Sequence, residues 1–379
     1  MDPRMRTLHR VMLAAALGGT FLFTMPDGSG PVLALRPELV ALQHAAAGKL
    51  APVLARDPEQ RLRACARHAS GQIHGPETVA APARNGSLYL INRDNAVRRA
   101  DPAAGGSYAL ARGDVAHLGP GRAGGNVVDG ERLLVADDLK GLVELDLRTG
   151  RASLLTPRHS ANDLDLHPSD PPGRARILFS RSTVFPILPA RGAHSAYDAM
   201  DWYVRCALRG DATGGLYEYN AATLETTELL AGLAFANGAA YSADGAFALV
   251  AESSAFRVLR VWLRGANAGA VETFAQGLPG FPDGISRSAD GHSFWLAIVA
   301  PYSPVVPLLR FRLVRGLLAR ARPLLNMLKR PLGLVLQLRA SDGELIAVYA
   351  DARGDVVSGI TGIDGQAKSD QGHDRAPRV

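Results

Sequence analysis

The sequence predicts an all-β protein, built as a β-propeller. Three observations carry this: turns rich in Gly and Asp, short strands rich in Leu, Val and Ile, and a return of the same unit at a period of about forty-five residues. Four segments share one plan: "NGSLYLINRDNAVRRADPAAG" from Asn85, "DGERLLVADDLKGLVELDLRTG" from Asp129, "DGAFALVAESSAFRVLRVWLRGANAG" from Asp244 and "DGHSFWLAIVAP" from Asp290. A fifth, "RARILFSRSTVF" from Arg174, is split from its second half, "GGLYEYNAATLETTELL", by an insertion from Arg181 to Gly214. The strand centres Leu88, Leu133, Ile177, Leu249 and Trp295 lie 45, 44, 72 and 46 residues apart, the long interval being the one with the insertion. Helical repeats of similar length compete with this reading, but these units are short, β-branched or aromatic, and punctuated by Asp-Gly turns.

Composition agrees with that class. The 379 residues include 40 Gly and 24 Pro, with 47% hydrophobic and 21% charged residues, the profile of a turn-rich globular chain long enough for one large β domain or two ordinary ones. A net charge of +6 comes mainly from Arg spread along the chain without an aromatic ladder, which argues against nucleic acid as a partner. Cys65 and Cys206 alone supply neither a disulfide framework nor a zinc spacing.

The chain divides by composition into 1–26, 27–73, 74–361 and 362–379. In the first part Arg4, Arg6 and Arg10 precede the apolar run "VMLAAALGGTFLFTM", Val11 to Met25. Fifteen helical residues rise ~22 Å, short of the ~30 Å hydrocarbon core, so the run reads as a signal peptide or as an anchor that borrows "PVLAL" after Pro26. No A-x-A cleavage site follows Met25, which favours an uncleaved anchor and an exported, membrane-tethered protein. Residues 27–73 read as a linker and lead-in, 74–361 as the propeller, and 362–379 as a polar tail.

Four oxygen-bearing side chains stand at matching places before the strand centres. Asn237 lies 12 residues before Leu249, Asp283 lies 12 before Trp295, Glu77 lies 11 before Leu88, and Asn162 lies 15 before Ile177, where "PPG" lengthens the turn. Each has a local explanation, since Asn and Asp favour turns at strand starts. In a propeller, however, the innermost strands line one axis, and a shared register brings the four together. Two carboxylates and two amides suit Ca²⁺ better than a soft metal.

The blocks "GPETVA", "LLVADDLKGLVELD", "ANDLDL", "GLYEYNAATLETTELLAGLAFANGAAYSADGAFALVAES" and "GLPGFPDGI" resemble the strictosidine synthase-like family over roughly His74 to Thr361, most specifically from Gly215 to Ile285. The resemblance implies a six-bladed propeller related to gluconolactonases, paraoxonases and the adipocyte plasma-membrane-associated protein. It also implies that Glu77, Asn162, Asn237 and Asp283 match calcium ligands of the paraoxonase and gluconolactonase relatives. The sequence departs from that pattern in several places. Gly284 stands where paraoxonases have an Asn, "GRAGGNVV" lacks their second-blade His, and Arg181 in "LFSRST" replaces an acid. The closing Glu of strictosidine synthase has no counterpart, and after Thr361 no apolar alternation remains for a sixth blade, so that blade is expected to be truncated or incomplete.

The segment Pro304 to Arg339 carries eight basic residues among leucines and no acid, with helix-like leucine spacing around Pro323; residues 304–335 are expected to form a basic helical insert. It could lie on an anionic membrane face or cover the propeller with its arginines solvated. The expected function is a calcium-dependent hydrolase of lactones or small esters, impaired by the missing blade. His159 and His74 are the only imidazoles near the ligand positions, and neither is assigned as the base. The alternatives are a non-catalytic, membrane-tethered propeller that binds a small molecule or protein, and strictosidine synthase-type C–N bond chemistry.

Overall fold

The computed structural model describes residues 22–364 except 69–70, 81–85, 105–106, 186, 188–196, 211, 322–324 and 326–329. These residues build five antiparallel sheets, each made of consecutive strands, arranged as the blades of a propeller. Blade one begins at Val79–Ala80, blade two at Ala123–Asp129, blade three at Ala161–Leu166, blade four at Ala236–Tyr241 and blade five at Gly280–Arg287. The strand centres read from the sequence all fall in the second strand of their blades: Leu88–Ile91, Arg132–Asp137, Arg176–Arg181, Phe247–Glu252 and Ser293–Pro301. The period therefore measures one blade.

Blades two to five are each covered on both faces, which is why their second strands read as continuous apolar runs. In Phe247–Glu252 all six residues are buried. Leu133, Val135 and Val143 of blade two pack with Ile91 and Val97 of blade one, while Leu134 and Leu142 pack with Ile177 and Phe179 of blade three. Blades four and five share the largest cluster, including Leu249, Phe256, Val258, Leu296 and Leu334.

The described residues correct the expected count, because they form five blades and not six. The far face of blade five, Trp295, Ala297 and Val335, is covered instead by Ile360, Ile363 and Leu62. The innermost level of the ring still closes. Gly284 N–H donates to Thr361 O at 2.9 Å, and the Thr361 hydroxyl donates to Glu77 O at 2.8 Å. Residues 360–364 thus occupy a sixth inner position, and among the described residues no outer strands stand beside them.

Of the expected N-terminal apolar helix only the end can be seen, and there Leu22 is helical. Most of the run Val11–Met25 lies outside the described residues. At its end Phe23–Met25 is not helical, and Thr24 pairs with Pro31 in an isolated bridge. Among the described residues no helix is long and apolar enough to cross a membrane. Among the described residues four short helices are seen from end to end: α1 (Pro37–Ala45), α2 (Leu50–Leu54), α3 (Ala199–Arg209) in the insertion of blade three, and α4 (Arg312–Arg320) in the basic segment.

Candidate functional site at the centre of the ring

One local device repeats at the start of four inner strands. After Ala123, Ala161, Ala236 and Pro282 the register against the second strand slips by one residue, an extra residue of the β-bulge kind. The residue that follows each anchor is Gly124, Asn162, Asn237 and Asp283 respectively. Three of the four sequence-identified residues therefore share one structural position, and Glu77 lies just before the first strand of blade one.

The next residue explains why the ring is tight. A Cβ on Gly238 would lie 2.4 Å from Asp283 O, one on Gly284 would lie 2.4 Å from Thr361 O, and one on Gly362 would lie 2.4 Å from Glu77 O. Only glycine lets the blades approach so closely. Blade three breaks the rule with Asp163, which uses its carboxylate as a staple instead. Asp163 Oδ2 accepts from Ala239 N–H of blade four at 3.1 Å, and Oδ1 accepts from Leu164 N–H at 2.9 Å. Asp165 repeats the device one level out, accepting from Tyr241 N–H at 2.9 Å.

These acids repel one another across the ring. Asp283 is pushed well above the usual carboxylate range, by burial first and then by repulsion from Glu77 and Asp163, with a hydrogen bond from Asn237 partly offsetting both. Asp163 is pushed up to about 7 by burial, against its two backbone hydrogen bonds, with Asp165 and Glu77 adding repulsion. Asn237 is buried, and its amide donates to Ser253 Oγ at 3.2 Å. Ser253 in turn donates to Pro282 O at 2.6 Å, and the matching Ser182 donates to Ala236 O at 2.9 Å.

Glu77 is held differently. Its carboxylate pairs with the guanidinium of Arg122, which also donates to Gly75 O and Ala123 O at 2.9 Å each. Asp138 lies in the same field: it is buried and raised well above the usual carboxylate range by desolvation, with Arg122 opposing and Asp137 and Glu77 adding to the rise. Arg122, Asp138 and Asp163 were not singled out from the sequence. The signal for Asp163 was its place directly after Asn162, where other blades carry Gly.

Neither candidate imidazole stands among these groups as a free base. His159 Nε2 lies 2.9 Å from Val184 O and 3.3 Å from a guanidinium nitrogen of Arg181, whose Nε–H donates to His159 O at 3.2 Å. His74 is exposed, and its backbone N–H donates to Asn92 Oδ1 at 3.1 Å. Arg181, the residue in place of an acid, thus serves as a clamp on His159.

Helix α3 lies over the blade four and five side of the ring. Tyr203 packs edge-on against Phe235 and Phe281, each two residues before a ring residue, and its hydroxyl bonds to Ser254. Burial raises the Tyr203 phenol, with Asp283 among the lesser contributors. Beside α3, a cavity of about 260 Å³ is lined by Phe185, Trp202, Cys206, Arg205, Arg209 and Asp27.

The donor set fits a hard divalent cation in kind. Every candidate ligand offers oxygen, and the repulsion that lifts Asp283 and Asp163 is the kind a cation relieves. Among the described residues no three acidic, His or Cys side chains converge as a ready metal cluster. Asp163 spends its oxygens on backbone N–H groups, and Glu77 faces Arg122.

Comparison with known proteins adds likeness in sequence and in fold. The strictosidine synthase family model matches residues 191–266. Over 96 residues the chain is 46% identical to Protein STRICTOSIDINE SYNTHASE-LIKE 10 of Arabidopsis thaliana, covering 25% of each chain. It is 29% identical over 287 residues to the adipocyte plasma membrane-associated protein of Salmo salar, covering 70% of this chain and 62% of that one. The matches therefore span from a quarter to about three fifths of these relatives' own length. Among solved structures, a gluconolactonase of Xanthomonas campestris superposes with a TM-score of 0.50 at 15% identity, covering 77% of this chain and 79% of that chain, a likeness of fold alone. The chain is a propeller similar to strictosidine synthase-like proteins, with the family model matched over residues 191–266.

Proposed function

We propose that the centre of the ring is a calcium site serving hydrolysis of a lactone or small ester. The observation that carries this reading is the shared bulge, which sets Asn162, Asn237 and Asp283 at one level around the axis, with Glu77 nearby in electrostatic contact with Asp283. Glu77, Asn162, Asn237 and Asp283 would hold the ion. A bound Ca²⁺ supplies a Lewis acid that polarises a carbonyl and stabilises the developing oxyanion. The protein's own groups do the positioning: Ser253 and Asp283 fix the Asn237 amide, and α3 shields the ring from water on the blade four and five side. The name of the Xanthomonas propeller, a gluconolactonase, is in keeping with a lactone substrate.

The test is hydrolysis of an aryl ester and of a simple lactone, with calcium and after chelation. Chelation and Asn237→Ala are each expected to lower kcat/KM at least about tenfold, a loss of roughly 1.4 kcal/mol of transition-state stabilisation. Turnover that ignores both changes would remove the reading.

A second reading, a membrane-tethered binding propeller, is favoured by a separate observation. Leu308, Phe311, Leu313 and Leu317 are each about half exposed within ten residues of the acid-free basic segment. Arg310 stacks on Phe311, and Arg312 on Phe23, near the end of the N-terminal apolar run. Several relatives carry plasma-membrane association in their names. Exchange of the 306–320 amides is expected to slow when the full chain is mixed with anionic vesicles, and Leu313→Ser with Leu317→Ser to abolish that protection while changing stability by less than about 0.5 kcal/mol. Equal exchange with and without vesicles would exclude this face.

A further inference from the structure

Blade two leaves a gap in the ring's pattern of oxygen ligands. It carries Gly124 where blades three, four and five carry Asn162, Asn237 and Asp283. Two residues earlier, Arg122 brings a guanidinium to Glu77, and its side chain is only 5% exposed. A cation so deep in a protein is costly unless it is paired and hydrogen-bonded, and Arg122 meets both needs with one carboxylate and two carbonyls. A compensated arginine of this kind is a fixture of the site and not a passing surface contact.

A second acid lies on its other side. Asp138 donates its backbone N–H to Arg122 O at 2.9 Å, and its side chain is buried. Its position matches Ser182 and Ser253, each one residue past the partner of a bulge anchor. Those serines donate to the next blade, whereas Asp138 Oδ1 meets no hydrogen-bond donor among the described residues. Arg122 therefore has two acids in its field and a direct bond to only one of them, Glu77.

We propose that Arg122 is the site's built-in cation, which holds Glu77 until a divalent ion takes that carboxylate and then turns to the Asp138 carboxyl. The inference rests on the calcium reading of the ring, but its subject is this chain's own arginine. The consequence is a weakened ion site. An incoming ion must break or share a buried pair, and it meets a positive neighbour one carboxylate away.

The experiment is thermal unfolding of the full chain over a calcium chloride titration, for the wild type, Arg122→Gln, Arg122→Lys and Asp138→Asn. Arg122→Gln should melt lower without calcium, because Glu77 is left unpaired beside other acids, and should reach half its calcium-induced rise at about tenfold less calcium. Arg122→Lys keeps the charge and should stay near wild type. Asp138→Asn removes that carboxyl and should need more calcium. The inference is overturned if the wild type responds and Arg122→Gln needs as much calcium or more; Arg122 then merely orients Glu77. No calcium response in the wild type or Arg122→Gln overturns the ring reading together with it. Should Arg122→Gln fail to fold, Asp138→Asn decides, with an unchanged calcium requirement counting against the inference.

Discussion

Across blades three, four and five, the residue after the bulge anchor is Asn162, Asn237 or Asp283, and the Asn237 amide is tied to Asp283 and to Ser253, which reaches the next blade. Across blades two and one, the same level offers Gly124 and Glu77, and a buried arginine bridges the two blades. The first arc follows the repeat. The second substitutes a fixed positive charge for a ligand. The difference shows that a repeat architecture sets where a side chain stands, while its chemistry depends on which neighbour the adjacent blade supplies.

The largest expected effect tests how firmly each arc is closed. A side chain at Gly284 meets Thr361 O and one at Gly362 meets Glu77 O at the same 2.4 Å. Gly284 sits in a strand backed by a complete sheet, whereas Gly362 belongs to a short segment that has no outer strands among the described residues. Gly284→Val should therefore cost about 3 kcal/mol or more in a denaturant midpoint, and Gly362→Val distinctly less, because the segment can yield. Equal losses would mean that the closing segment is as rigid as a blade.

A smaller effect separates the acids by their titration. Asp163 is raised in the folded state, to about 7 from 3.8, so its protonated form favours folding. That contribution is complete below about pH 4 and is lost as the pH rises through about 7. Asp163→Asn removes it, so the gap in melting temperature between wild type and variant should shift against the wild type between about pH 4 and 7. A gap that stays constant with pH would show that burial does not raise Asp163 in the folded chain.

Much of the first arc was legible in the sequence, and for a physical reason. A bulge anchor lies at a nearly fixed distance from the strand it pairs with, so Asn237 and Asp283 each stand 12 residues before a centre, and Asn162 differs by the length of one turn. The second arc was not legible, because Arg122 meets Glu77 across 45 residues and no strand register links the pair. In "GRAGGNVV" the arginine was passed over as the place of an absent histidine. The blade count came from resemblance, and the described residues supply five sheets and one inner segment where six blades were expected. Helix α3 was hidden in an interval that marked only an interruption of the period.

The central claim is that the repeat-built arc binds a cation, and calcium binding to the full chain by isothermal titration calorimetry tests it most directly. One ion should bind the wild type, and Asn237→Ala and Asp283→Asn should each weaken that binding by about tenfold or more. Absence of a binding heat in a folded wild-type chain across buffers and temperatures, or binding that survives both substitutions unchanged, would contradict the claim.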